Sequence, residues 1–277
     1  MTIEPWEIDP RALEIAEDQL RVELVKMGLE YIRRNRIETD PTPERRATRK
    51  RVLRLRDAIT YRAWSLLWHA STLYGRRAAE WRRLEKDIVL AIETGPTGDP
   101  GPFLRHVQQQ FFLLDDIVFN TLSLFDYLGN LIGVTRLDGR PLKWADLVKI
   151  CRKTHCPLRG QALPQMIAAA DGRWIEQMAR FRGELIHNED LPKLGQQSFD
   201  PNTETGRWRV WMPEAWKDTI TKLGLTGPER IEMEDAGFMI ALAALNTATA
   251  IVRVLYETFP MAPWTWEKKT RGGGVPP

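Results

Sequence analysis

Two side chains in this sequence are of the types, and at a spacing, that could bind a phosphate and move a proton at one place. They are an arginine and a histidine in Arg180-Phe181-Arg182-Gly183-Glu184-Leu185-Ile186-His187-Asn188. Arginine stays charged and presents a planar fork of donors matched to two anionic oxygens, while histidine can take up or release a proton near neutral pH. A second pair, Arg62 and His69, stands in Tyr61-Arg62-Ala63-Trp64-Ser65-Leu66-Leu67-Trp68-His69. Its flanking aromatics and leucines read as a helix packing face, so this pair is expected to be structural. Metal chemistry has too few donors: Cys151, His155 and Cys156 lie together, but a tetrahedral zinc site takes four ligands. No metal and no cofactor are expected. Asp115 and Asp116 are adjacent, so on a helix their side chains diverge and solvent exposure explains them.

These residues need elements to hold them, and the pattern is helical throughout. From Arg11 to Arg34 the residues Leu13, Ala16, Leu20, Leu24, Met27 and Tyr31 recur at three- and four-residue spacing, with Asp9 placed to cap and Pro10 in the first turn. A long arginine-rich helix follows from about Glu44 to Glu93, with a break expected near Gly75, and Gly95 to Pro102 reads as a loop. Phe103 to Val134 is the most apolar long segment and reads as a core helix, since Asp115, Asp116, Asn120 and Asp126 interrupt it too often for a bilayer span. Within it Gly129 and Gly133 would let a neighbouring helix come close. A short helix is expected from Lys143 to Lys153, and another from Leu163 to about His187. Ser198 to Met212 alternates and reads as a small hairpin or flap. The last long helix, from about Pro228 to Phe259, carries an uncharged run that suits the centre of a bundle. The expected organisation is all-α: an arginine-rich N-terminal helical hairpin over 1–94, a helical bundle over 103–259 and a disordered tail over 260–277.

Composition suits a globular domain, with 43% hydrophobic and 28% charged residues. The formal net charge of +3 is too small to require a nucleic-acid partner. Between Arg33 and Arg56, however, ten basic residues face three acidic ones. Two readings follow: a solvated helix face, or a surface for RNA or an acidic protein, for which Arg46, Arg49, Lys50 and Arg180 are the candidates. The N-terminal residues show no basic segment leading into an apolar one, and a cytoplasmic location without a membrane is expected.

A long apolar helix bearing Phe125-Asp126-Tyr127-Leu128, a shorter helix, a helix ending in Arg182-Gly183-Glu184-Leu185-Ile186-His187 and a final apolar helix together resemble the HEPN domain, a four-helix-bundle superfamily. The resemblance covers about Phe103 to Phe259. It implies that Arg182 and His187 are the motif arginine and histidine of a metal-independent RNA endonuclease. It also implies a homodimer with facing motifs, and a toxin or antiviral defence setting with an antitoxin or defence-complex protein as partner. Other members are inert modules that bind RNA or protein, which is the alternative. One position departs from the pattern: the residue after the motif arginine is often polar in the family, and here it is Gly183.

In such a site the arginine would stabilise charge on a phosphodiester, while the histidine would accept the proton of a ribose 2′-hydroxyl attacking the adjacent phosphorus. Glu184 and Asn188 would support the pair, and Asp126 either orients Arg182 or His187 across the bundle or pairs with another arginine. On a continuous helix Arg182 and His187 point about 140° apart and about 7.5 Å apart along the axis. A site made of both therefore needs the helix to loosen near Asn188 and Pro192, or a second chain.

Overall fold

The computed structural model describes residues 9, 11–35, 42–79, 101–137, 139–158, 161–187, 197–200, 207–210, 212 and 231–259. In chain order these form α1 (Arg11–Arg34), α2 (Pro43–Ala79), α3 (Gly101–Arg136), α4 (Trp144–Cys151), α5 (Ala162–Ala170), a π-helical turn (Asp171–Ile175), α6 (Glu176–His187), strands β1 (Gln197–Asp200) and β2 (Arg207–Val210), and α7 (Met233–Glu257). The fold is all-α, with, among the described residues, one antiparallel two-stranded ribbon in which Gln197 pairs with Val210 and Asp200 with Arg207.

The first two helices begin alike. Asp9 accepts the N–H of Arg11 at 2.9 Å, and Thr42 Oγ1 accepts that of Arg45 at 3.3 Å, so each side chain satisfies a donor the helix start leaves open. Helix α2 runs through Gly75 to Ala79 without the expected break. The loop expected from Gly95 and the tail after 260 lie outside the described residues, except that α3 begins at Gly101.

α7 sits at the centre, packed against α1, α2, α3 and α5. Leu20, Leu24 and Met27 of α1, Leu66 and Leu73 of α2, Leu114 and Ile117 of α3, and Ile240, Leu245 and Leu255 of α7 share one apolar cluster. Each such side chain removed from water contributes about 1.5–3 kcal/mol. α3 and α7 are each long and apolar enough to cross a bilayer, but 67% and 56% of their most apolar windows are buried inside the protein. Two polar clusters fix α7 along its length. Glu23 of α1 accepts from Tyr256 at 2.6 Å and from Arg253 at 3.3 Å. At the helix end, Arg34 donates to the carbonyl of Phe259 and Arg136 to that of Thr258, placing cations where the helix dipole is negative.

Gly129 and Gly133 do admit a close neighbour, but it is the returning loop, not a helix. A Cβ at Gly129 would lie 2.9 Å from the Leu142 carbonyl oxygen, and one at Gly133 would overlap the carbonyl oxygen of Arg140. That loop delivers α4, whose N-terminus has no cap from Lys143. Asp126 of α3 takes that role, accepting the backbone N–H of Trp144 at 3.0 Å. The single helix expected from Leu163 to His187 is in fact interrupted by the π-helical turn. There buried Asp171 accepts the Trp144 indole N–H and an Arg152 N–H, each at 2.9 Å. With the Phe125 ring tilted against Trp144 at 5.0 Å and edge-on to Trp174 at 5.5 Å, this ties α3, α4 and the root of α6 together.

Candidate functional site

α6 buries Met178 and Phe181 and leaves Arg182 partly exposed. The Arg182 guanidinium carbon lies 5.0 Å from the centroid of the Phe119 ring on α3. Among the described residues it makes no ion pair within 4 Å; its electrostatic partner is Asp115, one turn before Phe119. Burial pushes the Asp115 carboxyl above the usual range, the adjacent Asp116 charge adds to this, and Arg182 pulls it back in part.

The second arginine meets the same ring. Arg62 on α2 places its guanidinium carbon 5.3 Å from the Phe119 centroid, 5.5 Å from Tyr61 and 6.0 Å from Tyr127, contacts that favour a cation over aromatic faces. It donates to Asn120 Oδ1 at 2.9 Å, and its Nε is buried without a partner among the described residues. The separation of the two guanidinium carbons thus cannot exceed the two ring distances laid end to end. His69 lies further along the same side of α2. Its Nδ1 is 2.7 Å from the Ser65 carbonyl oxygen, which can only accept, so Nδ1 carries the proton. Its Nε2 is 3.3 Å from Asp116 Oδ2.

Several expectations change on this geometry. Tyr61, Trp64 and Trp68 are not a packing face: they are 58%, 57% and 54% exposed. The buried stripe of α2 runs through Ile59, Ala63, Leu66, Ala70 and Leu73, and the three rings lie off it. Among the described residues Asp126 pairs with neither Arg182 nor another arginine, and the His187 side chain lies outside them; its carboxylate accepts at the start of α4, because the loop brings that helix end directly to it. Asp115 is partly buried and electrostatically linked to Arg182, whereas Asp116 is exposed as expected but faces His69. Arg180 forms an exposed pair with Glu176 at 2.8 Å on its own helix. Arg46 and Lys50 are exposed on α2, and Arg49 partly so.

His187 is the last residue of α6. Asn188 and the side chains of Glu184 and His187 lie outside the described residues. α6 is helical from Arg182 to His187, and Asn188 and Pro192, near which the helix was expected to loosen, lie outside the described residues. Sequence reasoning missed Phe119 and Asn120. The four-residue steps Asp115 to Phe119 and Asp116 to Asn120 were visible, but which helices they face is a matter of packing.

Away from this face, Cys151 and Cys156 line a shallow cavity of about 280 Å³ with Gln161, Pro164 and Gln165. Burial and the neighbouring Cys156 push the Cys151 thiol up to about 12, which keeps it protonated at neutral pH. Neither a protein-family model nor a curated protein nor a solved structure matches this chain, so its chemistry rests on these side chains.

Proposed function

We propose that this protein is a metal-independent RNA endonuclease of the HEPN type, a cytoplasmic homodimer acting in a toxin or antiviral defence setting. The observation that carries the reading is the state of Arg182: partly exposed, unpaired with any carboxylate within 4 Å among the described residues, and on the same helix as His187. Linked to Asp115 but outside ion-pair distance of it, this guanidinium can turn its donors to a phosphate. Arg182 would hold the scissile phosphodiester and stabilise the charge that builds on it. A histidine would take the 2′-hydroxyl proton as that oxygen attacks phosphorus, and the P–O5′ bond would break with a proton returned to the 5′-oxygen by that histidinium or by water, giving a 2′,3′-cyclic phosphate and a free 5′-hydroxyl. Five residues of helix turn about 500°, and that spacing of Arg182 and His187 favours a site assembled from two chains.

Incubating the protein with labelled RNA in EDTA tests this. Cleavage that is lost in His187→Ala supports it, and no cleavage under any condition sinks it. The second reading is an inert module binding RNA or protein, favoured by the packing of Arg182 on Phe119, which a purely structural arginine would also adopt. RNA binding without cleavage would select it.

A further inference from the structure

The exposed face of α2 carries a stripe that the candidate site does not use. Arg46, Lys50 and Arg54 are exposed at four-residue steps, and Asp57, Tyr61, Trp64 and Trp68 continue the same face at steps of three and four. From Arg46 to Trp68 this spans about 33 Å at the helical rise. Among the described residues none of the three cations has an ion-pair partner within 4 Å, whereas the single acid of the stripe, Asp57, is taken by Arg56 at 2.8 Å. The stripe is thus basic at one end and aromatic at the other. At Tyr61 it meets the candidate site: the Arg62 guanidinium touches both Tyr61 and Phe119, and Phe119 touches Arg182.

We infer that this stripe of α2 is a binding track for single-stranded RNA, with the sugar–phosphate backbone on Arg46, Lys50 and Arg54 and unpaired bases on Tyr61, Trp64 and Trp68. Unpaired bases stack on exposed aromatic rings while cations follow the backbone, and only a single strand has bases free to do so. An anionic membrane surface also attracts cations and rings. A helix lying in a membrane interface, however, sets its apolar groups along one face and its charges along another. Here the cations and the rings succeed one another along a single face, which fits a polymer laid lengthwise. The inference rests on the ribonuclease reading only for where the track leads, to Arg182.

The test uses the full chain carrying His187→Ala, which prevents turnover, with a fluorescein-labelled uridine 12-mer followed by anisotropy in EDTA. Thermal melting checks that each further variant is folded. Trp64→Ala with Trp68→Ala should weaken binding tenfold or more, since stacking on one ring is worth about that much. The same positions changed to Phe should stay within about threefold. Changing Arg46, Lys50 and Arg54 together to Gln should flatten the slope of log affinity against log salt by about 2, as three phosphate contacts are lost. Affinities within twofold of the parent for both the Ala and the Gln variants would overturn the inference. So would binding to phosphatidylserine vesicles with none to RNA. If the unsubstituted protein never cleaves RNA but the stripe variants lose binding, the track stands and the endonuclease falls. If it cleaves RNA and the variants bind normally, the reverse holds.

Discussion

Arg182 is the residue on which the proposed chemistry turns. Its guanidinium can approach a phosphate with two donors, and lysine at this position keeps the charge but offers only a point ammonium. In a cleavage assay Arg182→Lys should therefore lose most activity while RNA binding survives better. His187→Ala should remove the proton-transfer contribution, roughly a hundred- to ten-thousand-fold. His69→Gln is the comparison, because His69 is held by Ser65 and Asp116 on α2 and α3. Activity that follows His69 and ignores His187 would move the base to α2. Asp115 allows a separate stability measurement. Its carboxyl is raised by burial and by Asp116 more than Arg182 lowers it. A folded-state pKa above the unfolded one means stability that is present at low pH and lost as pH rises through the folded value. Asp115→Asn should accordingly raise the melting temperature at neutral pH, by less than about 1 kcal/mol of stability given the partial exposure. The gain should vanish below the ordinary aspartate range. A loss of stability at pH 7 would show that the attraction to Arg182 dominates.

At the scale of elements, α6 owes its position to contacts made well before Arg182. The loop after α3 lies against Gly129 and Gly133, Asp126 captures the start of α4, and Trp144 reaches Asp171 in the π-helical turn from which α6 grows. A side chain at Gly133 would strike backbone, which cannot rotate away. Gly133→Ala is expected to cost about 1–3 kcal/mol, the usual range for overpacking, and to reduce activity by displacing α6. Gly75→Ala in α2, where an added Cβ meets nothing within 4 Å, should be neutral or slightly stabilising. Chemical denaturation of the two variants side by side makes the comparison, and equal effects would mean that the loop yields easily.

For the whole molecule, the proposed dimer has a direct readout: light scattering at micromolar concentration should show two chains per particle, and monomer alone would remove the basis for a shared site. Acid stability also belongs to this scale. Arg33 and Arg34 hold the Glu30 carboxyl down, from the ordinary 4.5 to about 2. Burial opposes ionisation of Glu23, but Tyr256, Lys26 and Arg253 outweigh it and hold that carboxyl low as well. Folded-state values below the unfolded ones mean stability that is present above the ordinary glutamate range and lost as pH falls through the folded values. Melting temperature should drop between pH 4.5 and 2, and Glu23→Gln with Glu30→Gln should flatten that drop. An unchanged profile would assign acid unfolding to other groups.

Much of this architecture was legible in the residues. The three- and four-residue apolar spacing marked α1 from Arg11 to Arg34 and the long apolar helices α3 and α7, because burying a stripe on a helix leaves that period in the sequence. The cap at Asp9 was equally local, being a contact between residues two positions apart. Which helix faces another leaves no such period. That Asp126 serves α4, that Tyr61, Trp64 and Trp68 stand in solvent, and that Arg62 and Arg182 meet at Phe119 are contacts between elements distant in sequence. An aromatic or a carboxylate has the same letter whether it faces a core, a helix end or water. The sequence alone determined which side chains could do chemistry and on which helices they ride; packing decided which of them meet.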